Sequence, residues 1–143
     1  MNTTVRKLIA AAVAAQKNAY CPYSRYAVGA SVLTKSGKIY AGCNVENASY
    51  GLSLCAERVA AFKAVSERHS GFKAICIVGL AAKPCGACRQ VLFEFAVPST
   101  PVFLVDWDPA KSRRAITRTT VAKLLPSAFD PFASGLLGAE RRK

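Results

Sequence analysis

No stretch of this 143-residue sequence is apolar for long enough to cross a bilayer, and no internal repeat, low-complexity segment or linker interrupts it. Those absences argue against a membrane-spanning helix or a repeat array. They leave one globular domain over residues 1–143, long enough to bury a real core. Acidic residues are scarce, 8 against 20 basic ones, for a formal net charge of +12. Such a surface can serve a polyanionic partner. Yet the basic residues are spread along the chain. Their two clusters, Lys111-Ser112-Arg113-Arg114 and Arg141-Arg142-Lys143, contain no aromatic on which a base could stack. The charge therefore reads as a solvated basic surface, and neither a nucleic acid nor a membrane is the expected partner.

The N-terminus imitates a signal peptide, because Arg6 and Lys7 precede an apolar run over residues 8–15. That run is mostly alanine and reads better as one face of a core-packed helix. A cytoplasmic protein is expected. In a reducing compartment its six cysteines serve as ligands or buried thiols rather than disulfides.

Thr3 or Thr4 can cap a helix in which Val5, Leu8, Ile9, Ala12 and Val13 recur at helical spacing, running to about residue 19. Pro22 breaks it. Residues 27–34 and 38–46 read as a hairpin around Lys35-Ser36-Gly37, with Asn44 and Glu46 on one face of its second strand. A helix follows over residues 54–65, then a continuous apolar strand over 72–80 of the kind buried on both faces. Pro84 suits the start of a third helix ending near Phe95. Residues 102–105 form another strand, a long polar connection covers 106–114, and 115–118 is a weak strand. Thr120 caps a short helix, and the tail after Phe129 is helical or frayed. This order predicts an α/β fold, a single mixed β-sheet of about five strands with helices packed on its faces.

Chemistry concentrates in Cys55-Ala56-Glu57-Arg58 and Pro84-Cys85-Gly86-Ala87-Cys88-Arg89-Gln90. Two cysteines three apart, a third on another segment, and a glutamate two residues after it make an incomplete metal shell. Three thiolates leave one tetrahedral position of a zinc ion open, and an open position separates catalytic from structural zinc. Placed at helix starts, the thiols meet unpaired amides and a positive dipole, which favour the thiolate form. Three thiolates exceed the charge of the ion by one, and Arg58 and the helix dipoles are the candidates to compensate. Two alternatives stay open at this point. Glu57 is also an ordinary first-turn acid, and Cys21, Cys43 or Cys76 is available to close a four-cysteine structural site.

These two motifs resemble the zinc motifs of cytidine deaminase, in its small homotetrameric, three-cysteine form. The resemblance runs from about Tyr20 to Phe129. It includes Cys21-Pro22-Tyr23-Ser24, Val28-Gly29-Ala30, Asn44-Val45-Glu46-Asn47 and Leu124-Leu125-Pro126-Ser127-Ala128-Phe129. It implies one zinc per subunit on Cys55, Cys85 and Cys88, with Arg58 hydrogen-bonded to the ligand sulfurs. Glu57 is then the general acid and base, taking a proton from the zinc water for N3 of the pyrimidine and passing another to the departing amine. Asn44 and Glu46 hold the ribose 3′-hydroxyl, Ala56 offers main-chain contacts to the base, and Tyr26 packs beside the ring. Ala48, Ser49, Tyr50 and Phe129 reach into a neighbouring subunit's site in a homotetramer. The implied activity is hydrolytic deamination of cytidine and deoxycytidine in pyrimidine salvage.

The sequence departs from the family pattern at several points. Lys83 stands before Pro84 where serine is usual, and the connection from Leu80 to Pro84 is short. Tyr26 adds a hydroxyl to a phenylalanine position, Val59 replaces a common threonine, and the connection after Val105 is long and basic. These differences bear on which base or sugar is accepted. The alternatives they leave are another amino-pyrimidine nucleoside or a nucleoside antibiotic of the blasticidin type. A polynucleotide deaminase rests on charge alone, and a zinc-stabilised binding module leaves Glu57 without a task.

Overall fold

In the computed structural model, residues 2–108 and 113–138 are described, with the side chains of Asp108, Arg113 and Arg114 excepted. Both basic clusters singled out above therefore lie wholly or largely outside the described residues. Helix α1 (Thr3–Gln16) is capped by Asn2, whose side chain accepts from the Val5 amide at 2.9 Å. The expected threonine caps thus fall one or two residues late, and the helix stops three residues short of residue 19. Strands β1 (Gly29–Thr34) and β2 (Ile39–Cys43) form the hairpin, and α2 (Ala56–Ser66) follows a short 3-10 turn. Strand β3 (Phe72–Gly79) leads to α3 (Gly86–Phe95), β4 (Pro101–Asp108), β5 (Arg113–Thr120) and α4 (Val121–Leu124).

Among the described residues, five strands make one mixed sheet in the order β2-β1-β3-β4-β5, with only β3 and β4 parallel. Alternation along each strand divides the core into two layers. Ala30, Val32, Ile75, Ile77 and Val102 face α2 and α3. Ala74, Cys76, Val78 and Val105 face α1, where Leu8, Ile9 and Ala12 close the second layer. Strand β3 is buried along nearly its whole length, as its unbroken apolar run requires when both faces are covered.

Two glycines set how closely the helices ride on the sheet. A Cβ at Gly29 would stand 2.0 Å from the Ala12 carbonyl oxygen, and one at Gly42 would stand 2.7 Å from the Ala60 amide nitrogen. Neither helix could sit where it does over a larger residue. The contact at Gly42 seats α2 over β2.

Two expectations are corrected here. Strand β2 ends at Cys43, so Asn44 and Glu46 do not share a strand face. Their backbone leaves the hairpin and pairs elsewhere: Tyr20 donates to the Asn44 carbonyl at 3.0 Å, and Val45 and Leu54 exchange bonds of 2.9 Å. The expected polar connection over 106–114 is largely strand, because Trp107 pairs with Arg114 and Asp108 with Arg113 across a β4–β5 hairpin. Its residues 109–112 lie outside the described residues. Turns rather than helix follow Phe129 through residue 137. Thr120 does cap a short helix, accepting from Lys123 at 3.3 Å.

Candidate zinc site

Two helix N-termini meet at one point. Cys55 is the N-cap of α2 and Cys85 the N-cap of α3, one position earlier than a place inside each helix, and Cys88 lies in the first turn of α3. Neither cap position uses its side chain to satisfy a backbone amide, which leaves both sulfurs free to turn toward each other. The sulfurs of Cys55, Cys85 and Cys88 lie within 4.8 Å of one another, with Cys55 and Cys85 3.8 Å apart. A tetrahedral shell with zinc–sulfur bonds of about 2.3 Å places its sulfurs about 3.8 Å apart, so the donor set fits zinc in chemistry and in spacing. Among the described residues no fourth cysteine, histidine or carboxylate joins the group. Cys76 is a buried core thiol, and Cys21 and Cys43 stand outside the cluster, where the Cys43 thiol donates to the Asn18 carbonyl at 3.3 Å.

The charges within the cluster are unequal. A hydrogen bond from Cys88 is the largest influence on Cys55 and, with those from Arg58 and Cys85, brings its pKa down to about 5 against the opposing effect of burial. The same bond to Cys55, together with burial, pushes Cys88 up.

Arg58 Nη2 lies 3.8 Å from Cys55 Sγ and 3.4 Å from the Ser53 carbonyl oxygen. Burial disfavours its charge, but the bond to Cys55 and the charges of Cys55 and Cys88 outweigh that and raise its pKa. Its Nε is buried without a hydrogen-bond partner. A guanidinium confined in this way supplies one positive charge beside a shell that carries one surplus negative charge when zinc is bound.

Glu57, in the first turn of α2, is only 3% exposed. Burial is the main reason its pKa is raised, the negative charge of Cys55 adds to it, and its own backbone N–H and Cys88 work against it. A buried acid beside an incomplete thiolate shell is placed for proton transfer.

The profile for the "Cytidine and deoxycytidylate deaminase zinc-binding region" matches residues 2–104. The chain belongs to this deaminase family. It is 49% identical over 128 residues to a cytidine deaminase of Sporosarcina psychrophila, covering 87% of this chain and 90% of that one. It is 46% identical over 125 residues to the cytidine deaminase of Halalkalibacterium halodurans, covering 85% and 91%. Among solved structures, cytidine deaminase from Burkholderia pseudomallei superposes with a TM-score of 0.80 at 44% identity, over 90% of this chain and 100% of that one. Cytidine deaminase from Mycobacterium tuberculosis gives 0.74 at 36% identity, over 90% and 99%. The mixed five-stranded sheet is thus that of the deaminase family, and the three-thiol cluster could hold the one zinc ion that this zinc-binding family calls for.

The other site residues named from the sequence lie around this corner in two groups. Asn44 is buried. Its Oδ1 accepts from the Val28 amide at 2.9 Å, and its Nδ2 donates to the Tyr26 carbonyl at 2.7 Å. Glu46 accepts from the Tyr23 and Ser24 amides at 2.9 and 3.2 Å and from the Ser24 hydroxyl. The Ser24 hydroxyl is the largest of the causes that hold its carboxyl below the usual range. Glu46 lines a cleft of about 320 Å³ with Tyr23, Ser24, Tyr50 and Ser53. Ala56 is wholly buried, and Tyr26 is 39% exposed.

The second group faces outward. Tyr50 is 73% exposed and packs edge-on against Tyr23, with ring centroids 5.5 Å apart. Ala48 and Ser49 are exposed on a loop that its own side chains close, with Ser49 donating to Asn47 Oδ1 at 2.8 Å. Phe129 is 60% exposed and lies on a segment whose carbonyl accepts from Gln90 at 3.0 Å.

Several supporting residues escaped the sequence. Arg89 donates to the Pro84 carbonyl at 2.7 Å and to the Leu124 carbonyl at 2.8 Å, tying the zinc helix to the C-terminal segment. Arg89 and Gln90 sit inside the zinc motif and Ser24 inside the Cys21–Ser24 motif, so adjacency was a usable signal for them. Nothing local in the sequence marks Asp106, which donates nothing and accepts from the Ala81 amide at 2.8 Å.

Proposed function

We propose that this chain, as a single domain over residues 1–143, removes the C4 amino group of cytidine and deoxycytidine by hydrolysis. The products are uridine or deoxyuridine and ammonia, a reaction of pyrimidine salvage in the cytoplasm. The observation that carries this reading is a buried Glu57 beside a three-thiol zinc shell with its fourth position open. The substrate class is supported by the cytidine deaminases to which the chain is similar over most of its length.

Zinc, when bound by Cys55, Cys85 and Cys88, supplies a Lewis acid that activates water for attack on C4. Glu57 accepts the proton from that water and delivers it to N3 of the pyrimidine. It then takes the proton of the hydroxyl newly added at C4 and passes it to the amine as ammonia leaves, so each proton it takes is returned within one turnover. Arg58 offsets the surplus charge of the thiolates and keeps the shell from opposing the loss of that proton.

Asn44 and Glu46 hold the sugar 3′-hydroxyl. Asn44 retains one amide hydrogen beyond those its two bonds use, and the ionised Glu46 retains acceptor capacity after three. The Ala56 main chain contacts the base and the Tyr26 ring packs beside it. Ala48, Ser49, Tyr50 and Phe129 complete a neighbour's site in a homotetramer. The high exposure of two of these rings in a lone chain supports that assignment.

The test is turnover of cytidine, followed by ultraviolet absorbance, for the native protein and Glu57→Gln. The native protein is expected to form uridine, and the variant to keep its zinc while kcat falls by about 10²–10⁴-fold, the usual worth of a positioned acid–base group. Zinc-loaded native protein without turnover on cytidine would overturn the cytidine assignment and move attention to other amino-pyrimidine nucleosides.

A further inference from the structure

The connection between β3 and α3 delivers Cys85 to the thiol cluster, and two side chains from elsewhere in the chain hold it. The Tyr26 hydroxyl donates to the Leu80 carbonyl at 2.8 Å. The Asp106 carboxylate, at the level where β4 pairs with Gly79, accepts from the Ala81 amide at 2.8 Å. These adjacent residues thus have a carbonyl and an amide held by separate anchors. The next backbone bond is a longer one, from the Ala82 amide to the Gly79 carbonyl at 3.3 Å.

The grip falls where the backbone needs it. Ala81 has φ of 51°, in the left-handed region that a Cβ disfavours, and such a conformation persists only where its surroundings impose it. Pro84, at the far end of the connection, is fixed by Arg89 at 2.7 Å. The connection is therefore pinned at both ends, and its first end depends on Tyr26 and Asp106. Tyr26 is itself braced, with its amide on Ser24 Oγ at 3.1 Å and its carbonyl on Asn44 at 2.7 Å. Together Tyr26 and Leu80 also wall a groove of about 590 Å³ on the α1 side, away from the zinc cluster.

We infer that Tyr26 and Asp106 form a clasp on the 80–84 connection, and that both are positioning residues for the deamination because they keep the wall of the zinc site ordered before substrate arrives. The Tyr26 ring can lie beside the base while its hydroxyl does separate work on Leu80. If the clasp is loosened, ordering the connection becomes part of substrate binding, so KM rises while kcat at saturation holds. This kinetic half rests on the cytidine assignment; the order of the connection does not.

The experiment combines hydrogen–deuterium exchange and cytidine kinetics on the zinc-loaded protein, comparing the native chain with Tyr26→Phe, Asp106→Ala and Asp106→Asn. Tyr26→Phe keeps the ring and removes only the hydroxyl. It is expected to speed exchange in the 79–84 peptide and to raise KM, each by about three- to tenfold, the range of one neutral hydrogen bond. Zinc content and the exchange of α2 and α3 stay at native values. Asp106→Ala should act in the same direction, and Asp106→Asn, which keeps an acceptor oxygen for Ala81, should restore native behaviour. Unchanged exchange at 79–84 in both Tyr26→Phe and Asp106→Ala would overturn the clasp. So would faster exchange spread through α2 and α3, which would mark a general loss of stability. Faster local exchange with unchanged KM would overturn the positioning role. Should native protein not turn over cytidine, the exchange result still decides the clasp, so the two readings fail separately.

Discussion

At the zinc corner every group is held from within the chain, whereas at the rim the largest side chains face solvent. Cys55, Cys85 and Cys88 hang from two helix N-termini, Arg58 leans on Cys55 and on the Ser53 carbonyl, and Glu57 is buried beside them. Tyr50 and Phe129, by contrast, are anchored through a ring edge or a backbone carbonyl and leave most of their surface exposed. The corner needs fixed distances, and one chain can supply them through helices seated on a sheet. The rim presents large rings that gain little until another surface covers them. The difference teaches that the reacting centre belongs to the fold of a single chain, while substrate enclosure belongs to the assembly we propose.

The comparison breaks most completely at the corner. Cys85→Ser replaces a thiolate with a hydroxyl that does not ionise near neutrality. Metal analysis of the purified variant is expected to show zinc well below that of the native protein, with cytidine turnover lost alongside it. Zinc held at the native level would mean that two thiolates suffice and that the shell has been misassigned.

A smaller effect is expected at the rim. Phe129→Ala should raise KM for cytidine by about tenfold, the scale of losing one buried aromatic contact, with zinc content unchanged. Sedimentation measured in parallel is expected to give a tetramer for the native chain and the variant alike. A native monomer that turns over normally would remove the distinction between corner and rim.

The smallest effect concerns Glu46, whose carboxyl is held below the usual range chiefly by the Ser24 hydroxyl. A depressed folded-state pKa contributes stability that is present above the ordinary glutamate range and is lost as pH falls through the folded value. Ser24→Ala raises that folded value toward the ordinary one. The acid arm of a stability-against-pH curve should then lose the part that Glu46 contributes, and the site's own titration, followed by NMR of the Glu46 carboxyl, should move up toward the ordinary glutamate range. An unmoved titration would show that the backbone amides of Tyr23 and Ser24 suffice to hold the charge.

Much of this was legible in the residue order. The three ligands and Glu57 sit in two short motifs whose spacing follows from the turn of a helix, and β3 announced itself as an apolar run covered on both faces. Both glycines that seat the helices were visible as letters, though not what they would meet. The placement of Asn44 and Glu46 was read less well, because strand alternation was extended past Cys43 into a segment that pairs with Tyr20 and Leu54 instead. The connection after Val105 misled in the opposite direction. Its polar residues suit an edge hairpin, in which one side of each strand faces water, as well as they suit a loop.

The sequence by itself determined the metal chemistry, because ligand type and helical spacing are local properties written within a few residues. It also determined the layered α/β class, since the order and periodicity of apolar runs leave few ways to bury them. Only the tertiary structure decided that the three thiols meet at one point and that Arg58 faces Cys55 with a buried Nε. It alone revealed that Tyr26 and Asp106, 80 residues apart by their numbers, hold neighbouring residues of one connection. Hydrogen bonds, burial and charge act through space, and the residues that share them need have no relation along the chain.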